Sequence, residues 1–321
     1  MTFDSLSRIF LKTSLWFILI MWIFFFDIKE VNLSRQVNYD LSPVSVAKVK
    51  KVSKVSTNNK IIKVSKIDKR KFLLKLVIAS LHHKHYSALN IQDYNKLCSY
   101  YPWWCNIIDI DSSFDYQKKV YYTALTIYLA SFVNKYLPSL KKELFYIKIQ
   151  PEKLWRRWYA GHHSIILNVK KWMWYDQFFQ VLTHEMGHIV DLWVLVWHSH
   201  FKSKNFTEFG RVVFSDDDPS LKFYSLSWKS EKIKKADSFA SDFVSWYWLT
   251  DPFEDFAESF NMYINHNWVF RQMALESNIL RQKYNFIAKI FKWNYINSDK
   301  NFDYKYWFRP WDSTIFSLIQ Q

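Results

Sequence analysis

The sequence predicts an α+β fold, mostly helical with a small sheet, preceded by an N-terminal hydrophobic helix and a basic stem. Three observations predict it. From residue 117 onward, most of the chain carries apolar residues at helical spacing. Only two short stretches, 143–150 and 164–170, alternate or concentrate β-branched residues as strands do. The first 27 residues hold a charge-free apolar run, and a lysine-rich segment follows it. Half of the 321 residues are apolar and 23% are charged, which suffices for a core and excludes global disorder or a collagen-like repeat.

Arg8 and Lys12 precede the run from Thr13 to Phe26, and Asp27 ends it. Fourteen helical residues span about 21 Å against a hydrocarbon core of about 30 Å, the length of a signal-peptide core. No small-x-small cleavage site follows, which points to a retained anchor. Segment 1–27 is therefore expected to be a signal or membrane anchor. The folded part is then in the cell envelope outside the cytoplasm, with secretion after cleavage as the alternative. Residues 28–71 lack a lasting helical period and read as a flexible stem. Within it, residues 46–71 hold ten Lys/Arg against the single acid Asp68, and so supply nine of the fifteen net positive charges. Such a run is a solvated linker or a contact for anionic lipid or cell-wall polymer. No nucleic-acid-binding motif accompanies it, so no specific nucleic-acid partner is expected.

Residues 72–116 read as a small helical region, opening with a helix from Phe72 to Leu89 that carries His82, His83 and His85. Three close histidines can hold a metal, but on a basic helix the ordinary reading is solvated side chains. The only cysteines, Cys98 and Cys105, lie seven apart without a CxxC pattern, and export would favour a disulfide between them. Residues 117–321 form the expected catalytic domain. Its first helix is Gln117–Leu137, with Val120, Ala124, Ile127, Tyr128 and Phe132 on one side. Strands at 143–150 and 164–170 follow, and then a helix from Tyr175 to Val194. A polar loop holds Asp216, Asp217, Asp218 and Pro219. Thr250-Asp251-Pro252 is an N-cap followed by proline at the first turn, starting a helix to about His266. Residues 268–291 give one more helix or two, and the last thirty residues are aromatic and irregular.

One ratio is anomalous: Gly 3 against Trp 17. Average usage of roughly 7% would give about 22 glycines. A domain of this size needs glycine where φ is positive and at helix ends. Some bacterial lineages read UGA as glycine and others as tryptophan, so translation with the wrong table exchanges the two. Trp172, Trp174, Trp193 and Trp197 fall at the ends of the 175–194 helix, where turn and cap residues belong, and Asn267-Trp268 stands where Asn-Gly would signal a turn. Many of the tryptophans are accordingly expected to be recoded glycine. Trp228 is expected to be genuine.

Residues 181–190 read VLTHEMGHIV, and His184, Glu185 and His188 form an H-E-x-x-H motif. Four residues apart on a helix, both imidazoles face one side and reach one Zn²⁺, while Glu185 is placed to act on the metal-bound water. The uncharged flanks Val181, Leu182, Met186, Ile189 and Val190 suit a helix buried beneath a cleft. A catalytic zinc takes a third protein ligand. Asp191 and Val194 stand where the metzincin pattern needs Gly and His, and His198 and His200 are off that spacing. A better candidate is Glu254-Asp255-Phe256-Ala257-Glu258, in which Glu254 and Glu258 share a helix face. One carboxylate can bind zinc while the other holds a ligand histidine by its second nitrogen. A solvated acidic face is the bland alternative, and Phe253, Phe256, Ala257 and Phe260 argue against it.

An H-E-x-x-H-x-x-D helix (His184 to Asp191), then Tyr247, then an E-x-F-A-E helix (Glu254 to Glu258) resembles the gluzincin metallopeptidases. Within them it is similar to the catalytic domain of anthrax lethal factor and related bacterial zinc-binding peptidases. The resemblance covers roughly residues 117–290, and only the two motifs are specific. It implies a zincin-like fold and zinc-dependent endopeptidase activity on a protein or peptide substrate. It further implies His184, His188 and Glu254 as zinc ligands, Glu185 as general base and Tyr247 as oxyanion donor. Glu258 is then a carboxylate behind a ligand, and Asp191 lies behind the site. In the resembling sequences the residue after the tyrosine is small; here it is Trp248, with Trp246 on the other side. Strand 164–170 is expected to be the sheet edge on which an extended substrate pairs. Two rival readings are a non-catalytic zincin-fold binding protein at the cell surface, and an envelope protein whose function lies in its basic stem.

Overall fold

The computed structural model describes residues 66–81, 89–152, 158–161, 163–196, 201–207, 210, 214–247, 250–297 and 309–316. The anchor segment, most of the basic stem, the histidines at 82, 83, 85, 198 and 200, and Trp197 and Trp248 lie outside them. Among the described residues, no helix is long and apolar enough to cross a membrane.

The first described helix, α1, runs Lys66–Leu81 and begins inside the basic run. Leu73, Leu76 and Val77 are buried, while Asp68, Arg70 and Lys71 stay exposed, so the last basic residues form the outer face of a packed helix. Helices α2 (Ile91–Tyr100) and α3 (Pro102–Ile107) follow. A disulfide joins Cys98 in α2 to Cys105 in α3, with 5.5 Å between the Cα atoms. Closing a short loop removes conformational freedom from the unfolded chain, which holds the α2–α3 corner.

Helix α4 (Tyr116–Tyr136) is capped by Asp115, whose carboxylate accepts from the Lys118 amide. Val120, Ala124 and Ile127 are fully buried as the periodicity predicts. Tyr121, Tyr122, Leu125, Leu129 and Ala130 are buried as well, so α4 is enclosed on more than the one side its spacing suggests. A single turn, α5 (Leu140–Glu143), leads into the sheet.

The sheet has strands β1 (Ile108–Ile110), β2 (Tyr146–Pro151), β3 (Trp158–Gly161) and β4 (Ser164–Val169), in the order β1-β2-β4-β3. β1, β2 and β4 are mutually parallel and β3 runs antiparallel to β4. In register, Ile147 lies beside Ile165 and Ile149 beside Leu167, and all four are buried, so the period-2 pattern sets one face against the helices. β4 is therefore an interior strand and not the edge expected from sequence. The edge among the described strands is β3, antiparallel to β4, and directly before β4 His163 takes φ of +62°. His163 is held there by its ring nitrogen against the Glu143 carbonyl at 2.7 Å, by stacking on Phe145 and by a tilted ring contact with Trp193.

Helix α6 (Tyr175–Ile189) carries the H-E-x-x-H motif and passes into a π-helical segment, Val190–Val194. Then come α7 (Pro219–Ser227), the hairpin β5–β6 (Trp228–Ser230, Ile233–Lys234), α8 (Pro252–Asn265), α9 (Asn267–Glu276) and α10 (Asn278–Ile290). Asn267-Trp268 lies in the first turn of α9, not in a loop. Two short 3₁₀ turns, Ala240–Asp242 and Ser313–Ile315, complete the described elements. The architecture is α+β, mostly helical with one small mixed sheet.

Candidate metal centre

Two helices build the site, and their close approach depends on one glycine. A Cβ added at Gly187 would lie 3.0 Å from the Ala257 Cα and 3.3 Å from the Phe260 Cβ. Any larger residue pushes α6 and α8 apart. On α8, the Asp251 carboxylate caps the helix by accepting from the Phe253 and Glu254 amides at 3.1 and 2.9 Å, and Pro252 fixes the first turn. Glu254 is thereby held in the first turn with its side chain facing α6. Behind it, the buried Lys283 ammonium on α10 bonds Asp255 at 2.7 Å, and the Trp228 indole N–H bonds the same carboxylate at 3.0 Å. This pair ties α8 to α10 from the side opposite the site.

The donor atoms converge. His184 Nε2 lies 3.1 Å from Glu254 Oε2, and His188 Nε2 lies 3.4 Å from the same oxygen. One donor atom from each of the three residues falls within 4.8 Å of the others. Glu254 Oε2 is buried and accepts no aligned hydrogen bond. A buried carboxylate oxygen needs a cationic partner, either protonated imidazole or a metal ion held by the same three donors. Tetrahedral zinc with ligands at about 2.0–2.1 Å has ligand-to-ligand edges of about 3.3 Å, near the two spacings seen here. The residues therefore fit zinc in both chemistry and spacing.

The electrostatics follow from the packing. Burial alone would raise the Glu254 carboxyl, but the His188 and His184 imidazoles outweigh it and hold the group below its usual range. Burial likewise works to lower both imidazoles, and the facing carboxylates reverse this, so both histidines are raised. Glu185 is buried at 2% exposure, and burial chiefly pushes its carboxyl up to about 7 against the pull of the two histidines. The Tyr247 ring centroid is 6.2 Å from that of His184. Its hydroxyl is raised well above the ordinary value, first by the Glu254 charge and then by burial, so it keeps its proton.

Glu258, one turn after Glu254, places Oε1 2.9 Å from His184 Nδ1, a close ion pair off hydrogen-bond alignment. Its Oε2 accepts the Ser313 amide at 2.7 Å. Asp191 lies in the π-helical segment and is fully buried. Its Oδ2 accepts from the Tyr224 hydroxyl, and burial raises its carboxyl well above the usual range. Through Tyr224 it faces α7, and the His188 charge acts on it as well. The amide of Trp246 donates to the Pro310 carbonyl at 2.8 Å, and its ring is 40% exposed.

Asp312 escaped the sequence reading. It is 9% exposed, and its carboxyl is pushed up to about 6 by burial and by the Glu258 charge. Its own charge acts on Glu185 and Tyr247. The only sequence signal was a helix-capping Asp-Ser-Thr in a stretch read as irregular. Comparison with protein-family models, with curated proteins and with solved structures gives no match to this chain.

Proposed function

We propose that the chain is a zinc-dependent endopeptidase of zincin-like fold, with the gluzincin ligand set His184, His188 and Glu254. The observation that carries this reading is the convergence of one buried Glu254 oxygen on both imidazoles of an H-E-x-x-H helix, at 3.1 and 3.4 Å. His184, His188 and Glu254 would hold the zinc, which would supply polarisation of the scissile carbonyl and a water of lowered pKa.

The remaining chemistry belongs to the chain. Glu185, buried beside both histidines, takes the proton from the attacking water and delivers it to the leaving amine nitrogen. The Tyr247 hydroxyl, which retains its proton, donates to the carbonyl oxygen as negative charge develops on it. An extended peptide pairs along β3, because no other described strand pairs with that edge and β3 packs against α6. The Cys98–Cys105 disulfide supports an oxidising, extracytoplasmic location, with the N-terminal segment as the membrane anchor.

Glu185→Gln separates this reading from a binding protein on the same scaffold. The variant is expected to keep stoichiometric zinc and to lose about 100- to 10,000-fold in peptide cleavage. A zinc-loaded wild type that cleaves no member of a diverse peptide library, or cleaves no faster than the variant, overturns the enzyme reading in favour of a non-catalytic binding role.

A further inference from the structure

We propose that residues 309–316 are a positioning strap for the metal centre, in which the Ser313 amide orients Glu258 and, through it, the His184 imidazole. The inference rests on the metal-centre reading above and extends it to a segment that no motif includes.

Three sets of contacts converge on the strap. The Ser313 N–H donates to Glu258 Oε2 at 2.7 Å, and the other carboxylate oxygen faces His184 Nδ1 at 2.9 Å. Glu258 is fully buried, so this amide is what fixes the plane of its carboxylate. A second route runs through side chains. Asn261 Nδ2 donates to Ser313 Oγ at 2.9 Å, and Asn265 Nδ2 donates to Asn261 Oδ1 at 2.8 Å and to Thr183 Oγ1 at 3.1 Å. Thr183 directly precedes His184, so the strap reaches the motif helix twice. The third set holds the approach to Tyr247: Arg309 Nε donates to the Phe243 carbonyl at 3.0 Å, and the Trp246 amide donates to the Pro310 carbonyl at 2.8 Å. Asp312 caps the turn by accepting from the Thr314 amide at 2.7 Å, which presents the Ser313 N–H towards Glu258.

The physical content is a relay of orientation. A carboxylate on the far nitrogen of a ligand histidine fixes its ring and raises its basicity, and losing such a partner costs about 10- to 100-fold in metal affinity. A carboxylate that is free to turn gives less of both. Ser313 is the first residue of its 3₁₀ turn, a position that accepts proline. Ser313→Pro therefore removes the donor with little change of backbone.

The test is zinc affinity of the full-length chain, by chelator competition. Ser313→Pro is expected to bind zinc about 10- to 100-fold more weakly and to alter the visible spectrum of the Co²⁺-loaded protein. Ser313→Ala, which keeps the N–H, is expected to stay within about threefold of wild type. In a Glu258→Ala background, Ser313→Pro is expected to add no more than Ser313→Ala adds there, because the N–H acts through that carboxylate while both variants lose the hydroxyl. Where proline unfolds the turn, an amide-to-ester replacement at Ser313 removes the same N–H. A proline or ester variant within twofold of wild type, or an equal loss with and without Glu258, overturns the strap. A wild type that binds no zinc overturns the metal-centre reading, and the strap with it.

Discussion

Trp293 follows α10 with φ of +63°, next to Lys292 at +49°, and its amide closes the helix end on the Ala288 carbonyl at 2.8 Å. The left-handed region costs an L-residue about 1–2 kcal/mol and costs glycine nothing. The indole is 58% exposed and so recovers little of that in packing. Trp174, the N-cap of α6, likewise makes no side-chain capping bond and is half exposed. Trp228 is the opposite case, 3% exposed with its N–H on Asp255. The excess of tryptophan over glycine thus divides by environment, and recoding is expected at the exposed, strained positions. Trp293→Gly is expected to raise stability by about 1 kcal/mol in denaturant unfolding, with a UGA codon at 293. Loss of stability, or a UGG codon there, would refute recoding at this position.

At the scale of elements, the site depends on the α6–α8 crossing. Gly187→Ala forces a Cβ against the Ala257 backbone, which cannot rotate away as a side chain could. The expected cost is about 1–3 kcal/mol of stability together with weaker zinc binding, because the same shift draws Glu254 from the two histidines. Unchanged zinc affinity would show that the crossing has slack. Both helices were legible in the sequence because their signals are local: His184 and His188 share a face, and Asp251-Pro252 is a cap and first turn. β3 was not legible. It has four residues, and its turn uses His163 where an Asn-Gly pair would have announced a hairpin. The strap was not legible either, since its contribution to Glu258 is a backbone N–H 55 residues away, and every residue but proline has one.

For the whole molecule, the buried carboxylates set how stability varies with pH. In the metal-free chain, burial raises Glu185 to about 7 and Asp218 to about 6, and it raises Asp191 well above its usual range. A carboxyl whose folded value exceeds its unfolded value binds its proton more tightly when folded. Its contribution is complete below about pH 4 and is lost as pH rises through the folded value. The metal-free protein is therefore expected to lose stability between pH 4 and pH 8. Asp218 reports on this away from the metal ligands. It caps α7 by accepting from the Ser220 amide at 2.8 Å, and asparagine caps equally well. Asp218→Asn should match wild type near pH 4 and exceed it by about 1–2 kcal/mol at pH 8, in denaturant unfolding with a chelator present. A gap that stays constant with pH would mean that Asp218 ionises as freely in the folded chain as in the unfolded one. The contrast with Glu254 is physical. Burial works to raise both carboxyls, but two imidazoles face Glu254 and hold it below its usual range, while at Asp218 burial and the Asp217 charge prevail and raise it to about 6. The same burial that disfavours charge beside α7 is outweighed at the α6–α8 crossing, where two imidazoles face the charge.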